Sequence, residues 1–462
     1  MMQLWLANWH IDSDDLRIAA ILALPLSLVV LASVYFLWPY LRETRSRNIL
    51  PNAKGQAVLN KHRKFGEWTP IDFNYPEISR HDKDLENIQP IPYRPFKPGS
   101  YHVTMGIRSM PWAEWIELDN EYLAYHRIRS HRLHTRGPKA LAFLPAKVGV
   151  VNSAYEAAIE LVHELAEYLI RRYPATFRVT RHTSNYIASL SHSPRKKGRL
   201  DYGWDGAPAI KEITVVPLGV TYDLPLPVED ESATYDVFWK GIAERAMKVA
   251  ALLVQDDFAL MVEGQDGRYY LQGGAICIPG FWRMEDKLGM PLEEIHLSGS
   301  VPQYASKLQA SMQRFFQKMS VDKPVSRNNY FIQVVPPEPL DAVDPEELAW
   351  GKNQNGEEDV KREGGLGAKS KRYQRDENAP KPIVEAGTLR LRSERQTLRR
   401  LPKSGVIVFG IRTYMTPVSR LVEEGVGERL ASAVRGWSED IDEYKGSVLY
   451  KEALLAYLDC PF

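Results

Sequence analysis

Apolar residues fall at three- and four-residue spacings through residues 154–173, where Ile159, Val162, Leu165 and Leu169 share one face. With Pro174 closing the run, this predicts an amphipathic helix. Trp115, Leu118, Tyr122 and Tyr125 predict a second helix over 112–128, and similar patterns predict helices over 239–255 and 301–318, the latter opened by Pro302. Three short helices are expected at 418–421, 430–434 and 450–458, with Trp437 packed among them. Strands are expected at 213–221, within 258–278 and at 329–335. Asp266-Gly267 sits between two apolar runs and signals a hairpin.

The stretch 388–414 is the densest in information. Leu389 and Leu391 alternate with Arg390 and Arg392, a strand pattern. Ser393 followed by Gln396 resembles a capping box and predicts a short helix, stopped by Pro402 and Gly405. An apolar strand, 406–409, then leads to Arg412 and Tyr414. Short strands interleaved with helices, without regular βαβ units, read as α+β.

Two segments break this pattern. Residues 18–38 carry no charge for 21 positions, about 31 Å as a helix, enough to cross a bilayer core. The run is too long for a secretory signal and lacks a small-residue cleavage site. Acidic residues precede it, Arg42, Arg45 and Arg47 follow it, and Trp38 and Tyr40 suit an interface belt. The positive-inside rule then gives a luminal tail (1–17), a single transmembrane helix and a cytosolic body. Residues 39–90 read as a linker. Residues 351–387 are rich in Gly, Glu, Lys and Arg and read as a disordered insertion. The folded domain is then 91–350 joined to 388–462. The basic run PRKKGR at 194–199 reads as a solvated loop, or as a contact for acidic lipid or a redox partner.

Composition narrows the class. With 44% apolar residues the chain can bury a sizeable core. A net charge of +1 gives no global field to attract nucleic acid. Two cysteines, Cys277 and Cys460, exclude a disulfide framework. Neither a GxGxxG fingerprint nor a cysteine cluster is present, so the chain binds no dinucleotide or iron–sulfur cluster in the usual ways.

Among candidate residues, Glu394 is a lone carboxylate among the arginines of 388–414, either a salt-bridge clamp or a tuned acid. Cys277, in the apolar run AICIPGFWR, reads as a buried, inert thiol. His296 follows a short helix at a loop entry, where a histidine is either a surface or capping residue or a ligand. His163 is a further candidate, paired at i, i+4 with Glu167.

The strings SERQTLRRLPKSGVIVFGIRTY (393–414) and RMEDKLGMPLEEIHLSGSVP (283–302) resemble the haem-dependent oxidative N-demethylase family, which has a fungal, membrane-anchored branch. The resemblance spans roughly residues 90–455. It implies a PAS-like curved antiparallel sheet with helices covering a haem pocket, and haem b as cofactor. It implies His296 as iron ligand, with Arg283, Arg327 and Arg412 pairing with haem propionates or buried acids. Ser298 stands where the family pattern has a proline after this histidine. Glu394 is implied as a proton donor, with Arg395 and Gln396 bonding oxygen or substrate. The expected activity is oxidative N-demethylation or a related oxidation of a small amine or secondary metabolite, with O2, a separate reductase as external electron donor and the endoplasmic reticulum as location. The alternative is a non-catalytic haem- or ligand-binding PAS-like module at a membrane.

Overall fold

The computed structural model describes residues 63–192, 198–228, 235–335, 349–350, 358 and 384–460. The expected transmembrane segment, most of the expected insertion and residues 194–197 of the basic run lie outside the described residues. No helix among the described residues is long and apolar enough to cross a membrane.

The strands are β1 (Arg108–Ser109), β2 (Leu141–Phe143), β3 (Phe177–Arg181), β4 (Ile210–Val215), β5 (Val220–Asp223), β6 (Asp256–Glu263), β7 (Tyr269–Ala275), β8 (Val325–Val334), β9 (Leu389–Arg400) and β10 (Ile407–Pro417). The helices are α1 (Tyr122–Arg136), α2 (Tyr155–Arg172), α3 (Ser184–Ser191), α4 (Tyr235–Leu253), α5 (Leu292–Ser298), α6 (Gln309–Lys318), α7 (Val418–Glu423), α8 (Gly427–Arg435), α9 (Glu439–Lys445) and α10 (Lys451–Leu458). Seven strands form one antiparallel sheet in the order β1-β8-β9-β10-β6-β7-β2, and β3-β4-β5 form a second. The class is α+β, as expected.

Several elements follow the sequence pattern closely. The amphipathic run at 154–173 is α2, and Asp266-Gly267 turns the β6–β7 hairpin, with Gly267 N–H bonding the Gly264 carbonyl at 2.9 Å. Helices α7, α8 and α10 occur where expected, and Trp437 is buried in their cluster.

Others differ for a physical reason. The short helix expected from Ser393 is instead part of β9, which runs unbroken through Arg400. The capping-box residues are paired into the sheet, Ser393 with Tyr330 and Tyr414, Gln396 with Arg327 and Ile411. Nine ladder positions, 390–398, paired on both sides outweigh one local cap. The helix expected over 112–128 is a 3-10 turn (Trp112–Glu114) followed by α1, which starts later and runs to Arg136. The helix expected over 301–318 begins as a π-turn (Tyr304–Leu308) before becoming α6. The strand expected over 213–221 is split by the 3-10 turn Val216–Leu218 into β4 and β5. Helix α9, polar in sequence, was not expected. Residues 64–90, expected as linker, lie along the body as coil with one 3-10 turn (Leu85–Asn87), and Ile78, Leu85 and Ile88 are buried in the main core.

The two faces of the large sheet are covered differently. Helices α2 and α4 join one hydrophobic cluster with Phe258, Leu260 and Val408. A second cluster sets Tyr304, Leu308, Met312 and Phe316 against Met261, Leu398 and Ile407. The β9–β10 turn is clamped from α2, where the Glu160 carboxylate accepts from Lys403 N–H (2.6 Å) and Ser404 N–H (2.8 Å). Gly405 closes this turn at φ +73°, where a Cβ would fall 2.2 Å from the Trp68 ring.

Gly405→Ala is therefore expected to destabilise the protein by roughly 1–3 kcal/mol. Gly241→Ala, in α4 where a Cβ meets nothing within 4 Å, is expected to stabilise it by about 0.5–1 kcal/mol. Thermal unfolding of the two variants reads both.

Candidate functional site

Strand alternation on β9 divides its polar residues between two sides. Arg395 and Arg399 point one way. Arg395 Nε lies 2.9 Å from Glu117 Oε1, and its Nη2 donates to the Glu114 carbonyl. Arg399 pairs with Glu164 and lies over the Trp115 ring at 4.2 Å. On β10, Arg412 joins this side, paired with Asp119 at 2.7 Å and held between Tyr125 (4.2 Å) and Tyr414 (4.5 Å). Arg395 and Arg412 are thus committed to buried acids of the coil before α1. The strand geometry separates them from Glu394.

Arg392, Glu394 and Gln396 point the other way. Gln396 Nε2 donates to Glu394 Oε2 at 3.0 Å, and Arg392 Nε approaches Glu394 Oε1 at 3.4 Å. Arg392 is anchored by the Ile278 carbonyl at 2.8 Å. Gly280 lies against it, and a Cβ there would sit 2.8 Å from Arg392 Nε, so only glycine leaves room. Gln396 Oε1 is buried and has no hydrogen-bond partner among the described residues. A buried carbonyl oxygen left without a donor is costly unless a ligand or water satisfies it.

Arg327 on β8 is the register partner of Gln396 and so shares this face. It is half-buried, its pKa is lowered by burial, and the Glu394 carboxylate opposes that shift. Its positive charge also acts on His296. Arg327 thus links electrostatically the two residues singled out in sequence.

His296 is on α5, half-buried, and stacks on Tyr304 with centroids 4.7 Å apart and planes 7° from parallel. Its Nδ1 bonds the Leu292 carbonyl at 2.7 Å, which makes Nδ1 the protonated nitrogen and leaves Nε2 with its lone pair. Burial first, then the charges of Arg327 and Lys287, push its pKa to about 4, so the ring is neutral at physiological pH. The loop after it is strained. Ser300 (φ 51°) and Gln303 (φ 55°) adopt left-handed backbone without being glycine, and a π-turn follows. Gln303 Nε2 bonds Asp440 on α9 at 3.0 Å, tying this loop to the C-terminal helices.

Arg283 bonds Asp286 at 2.9 Å and the Glu358 carbonyl at 3.2 Å. Lys287 bonds the Ile295 carbonyl (3.1 Å) and Ser298 Oγ (2.6 Å), fastening the end of α5. Trp282, Ile295, Val301 and Phe409 are half-buried against the cluster between this helix and the sheet, giving an apolar wall. His163 is buried elsewhere, stacked on Tyr202 at 4.9 Å, with its own pKa pushed by burial to about 4. Cys277 is buried, and burial pushes its thiol up to about 12, which fits the inert assignment.

Two residues escaped the sequence. Lys445 on α9 is fully buried, with Glu394 among the charges acting on it. Tyr304, the platform for His296, sits in a turn that helical periodicity hides. Only the i, i+8 recurrence of aromatic and histidine around a Pro-Gln pair could have signalled it.

The α+β fold thus sets a neutral imidazole with one nitrogen fixed by a carbonyl, an apolar wall, a cation and a carboxylate–amide pair on one side of the large sheet. Residues 106–455 match the family described as haem-dependent oxidative N-demethylase, alpha subunit-like, and the chain belongs to that family. The family is a haem-dependent, oxidative one, so the donor set can be tested against haem. A carbonyl-oriented neutral histidine and an arginine on the same side meet its requirements.

His163 contributes a pH dependence of stability. Its pKa is about 4 folded against about 6.5 unfolded, so the unfolded chain binds the extra proton between these values. Stability is complete above about pH 6.5 and falls as the pH drops towards about 4, by up to roughly 3 kcal/mol. His163→Gln is expected to flatten that part of a denaturant-midpoint-versus-pH curve.

Proposed function

We propose that this protein is a haem-dependent monooxygenase that oxidises an N-methylated or comparable small amine, and that the amine, O2 and electrons meet on the Arg392–Glu394–Gln396 face of the sheet. The observation that carries this reading is the buried, unpartnered Gln396 Oε1 beside Glu394. An amine N–H is the donor that satisfies it, and a carboxylate next to it favours a cationic amine.

Haem b, when bound, supplies O2 activation, and oxidation of an N-methyl carbon lets that carbon leave as formaldehyde. His296 Nε2 would hold the iron, kept in register by Leu292 and Tyr304, and Arg327 would face a propionate. Arg283, already engaged with Asp286 and Glu358, stands further from this role. Glu394 moves a proton at its carboxylate oxygens, and Gln396 orients the amine. Arg395 and Arg412 hold the sheet's other face, so they support the site without touching substrate.

The absence of a dinucleotide fingerprint and of a cysteine cluster in the sequence supports an external electron donor, a separate reductase. The uncharged run 18–38 with its basic flank supports a single-pass anchor in the endoplasmic reticulum, the body being cytosolic. A PAS-like pocket is supported by the antiparallel sheet with α5 and α6 packed against the face that bears Glu394. A secondary metabolite from a fungal pathway fits as substrate.

The purified full chain is expected to show the Soret band of a histidine-ligated haem. His296→Ala should lose haem or shift that band, and an unchanged spectrum removes the ligand assignment. Glu394→Gln should keep haem while formaldehyde release falls on the order of 10²-fold.

A further inference from the structure

Asn329 on β8 is the register partner of Glu394 on β9, and it shares its strand with Arg327 and Phe331, each two residues away. The Phe331 ring lies 5.1 Å from that of Phe281, and the Arg392 guanidinium lies over Phe281 at 5.9 Å. Alternate residues of a strand share a face, so Asn329 is on the face of Arg392, Glu394 and Gln396. It is half-buried. Directly opposed residues of an antiparallel pair have Cβ atoms about 4.5–5.5 Å apart, close enough for an amide to reach a carboxylate. No such bond forms. Each Glu394 oxygen is instead met from its own strand, Oε2 by Gln396 Nε2 at 3.0 Å and Oε1 by Arg392 Nε at 3.4 Å. Among the described residues the Asn329 side chain has no hydrogen-bond partner.

The donors that β9 turns to this face are already engaged. Gln396 Nε2 serves Glu394, and Arg392 Nη2 serves the Ile278 carbonyl at 2.8 Å and Thr413 Oγ1 at 3.2 Å. What β9 leaves open is an acceptor, Gln396 Oε1. One strand away, about 4.8 Å, Asn329 offers two N–H donors. Arg327 beside it on β8 makes this a poor place for a second positive group and a good one for an oxygen. We infer that Asn329 is a specificity-determining residue, whose amide donates to an oxygen of the same ligand whose N–H meets Gln396 Oε1. The ligand class is then narrower than a small amine. It is an N-methylated amine that carries an ether, hydroxyl or carbonyl oxygen about one strand spacing from its nitrogen. A plain alkylamine sets carbon against the Asn329 amide and loses that hydrogen bond. This inference rests on the reading of this face as the amine site.

Two probes of the same shape, N-methyl-methoxyethylamine and N-methylbutylamine, differ only in that oxygen. Each is titrated calorimetrically into the full chain and its variants. Asn329→Leu is expected to weaken the ether-bearing amine about fivefold and to leave N-methylbutylamine unchanged. An equal loss for both amines, or no loss for either, overturns the inference. Should Asn329→Leu not fold, Asn329→Ala is titrated with the same pair. The ratio of the two affinities must then move in the same direction, and an unmoved ratio overturns the inference. The amine site itself is read separately, from N-methylbutylamine and Glu394→Gln, where the lost carboxylate should weaken binding about tenfold or more. Unchanged binding in that variant defeats the amine reading, whatever Asn329 does. If neither amine binds the unaltered chain, both fall.

Discussion

Along β9, each buried charged side chain must find its partners, a counter-charge or a set of carbonyls, on whichever side of the sheet the pleat sends it. A strand buried on both faces has no solvent in which to leave an arginine. Glu117 and Glu164 meet Arg395 and Arg399 on one side, and Asp119 meets Arg412 of the neighbouring strand. Removing one partner of such a buried pair strands the other, at about 3–5 kcal/mol. The consequence for function is one of separation. Because those arginines are paired with acids behind the sheet, they do not compete for the carboxylate–amide pair of Glu394 and Gln396 in front. The acids that do this come from the coil before α1 and from α2, so the N-terminal half of the domain sets the charge pattern of a strand near its C-terminus.

The front of the sheet combines two stiff parts. β9 is paired along both edges and cannot shift by one residue without exchanging its faces. α5 is short, yet its histidine is fixed by a carbonyl, by a ring stack and by a loop held in left-handed backbone. Strain of this kind persists only where surrounding contacts over-determine it, and it clusters at functional positions.

Much of this was legible in the chain. The 3.6-residue period of α2 and the Asp-Gly hairpin follow from local chemistry, and both stand in the structure. The two strings 283–302 and 393–414 pointed to the family, whose pattern matches residues 106–455, and they contain Glu394, Gln396 and His296, whereas Arg327 lies outside both. What failed was the local structure of the arginine-rich string itself. A strand with polar residues on both faces has no hydrophobic alternation, so a serine–glutamine cap looked like the stronger signal. The partition of Arg395 and Arg412 away from Glu394 depends on that same period of two. Lys445 was invisible because its cage is assembled from Tyr101, Tyr330, Phe331 and Trp437, residues brought together only by tertiary folding.

The join between β8 and β9 has a bearing on how such a chain can diversify. Val334 and Leu389 are register partners, so the two strands meet side by side on either flank of the long intervening stretch. Once ends are pinned by a ladder, the entropy of closing the connection grows only logarithmically, about 0.6 kcal/mol for each doubling of length. Within that stretch Glu358 is gripped by Arg132 (2.7 Å) and Arg136 (3.0 Å) of α1. Among the described residues the stretch is also held at Ala349, whose carbonyl accepts from Gly280 N–H at 2.9 Å. Changes of length between such tethers cost little, while the strand bearing Glu394 keeps its register.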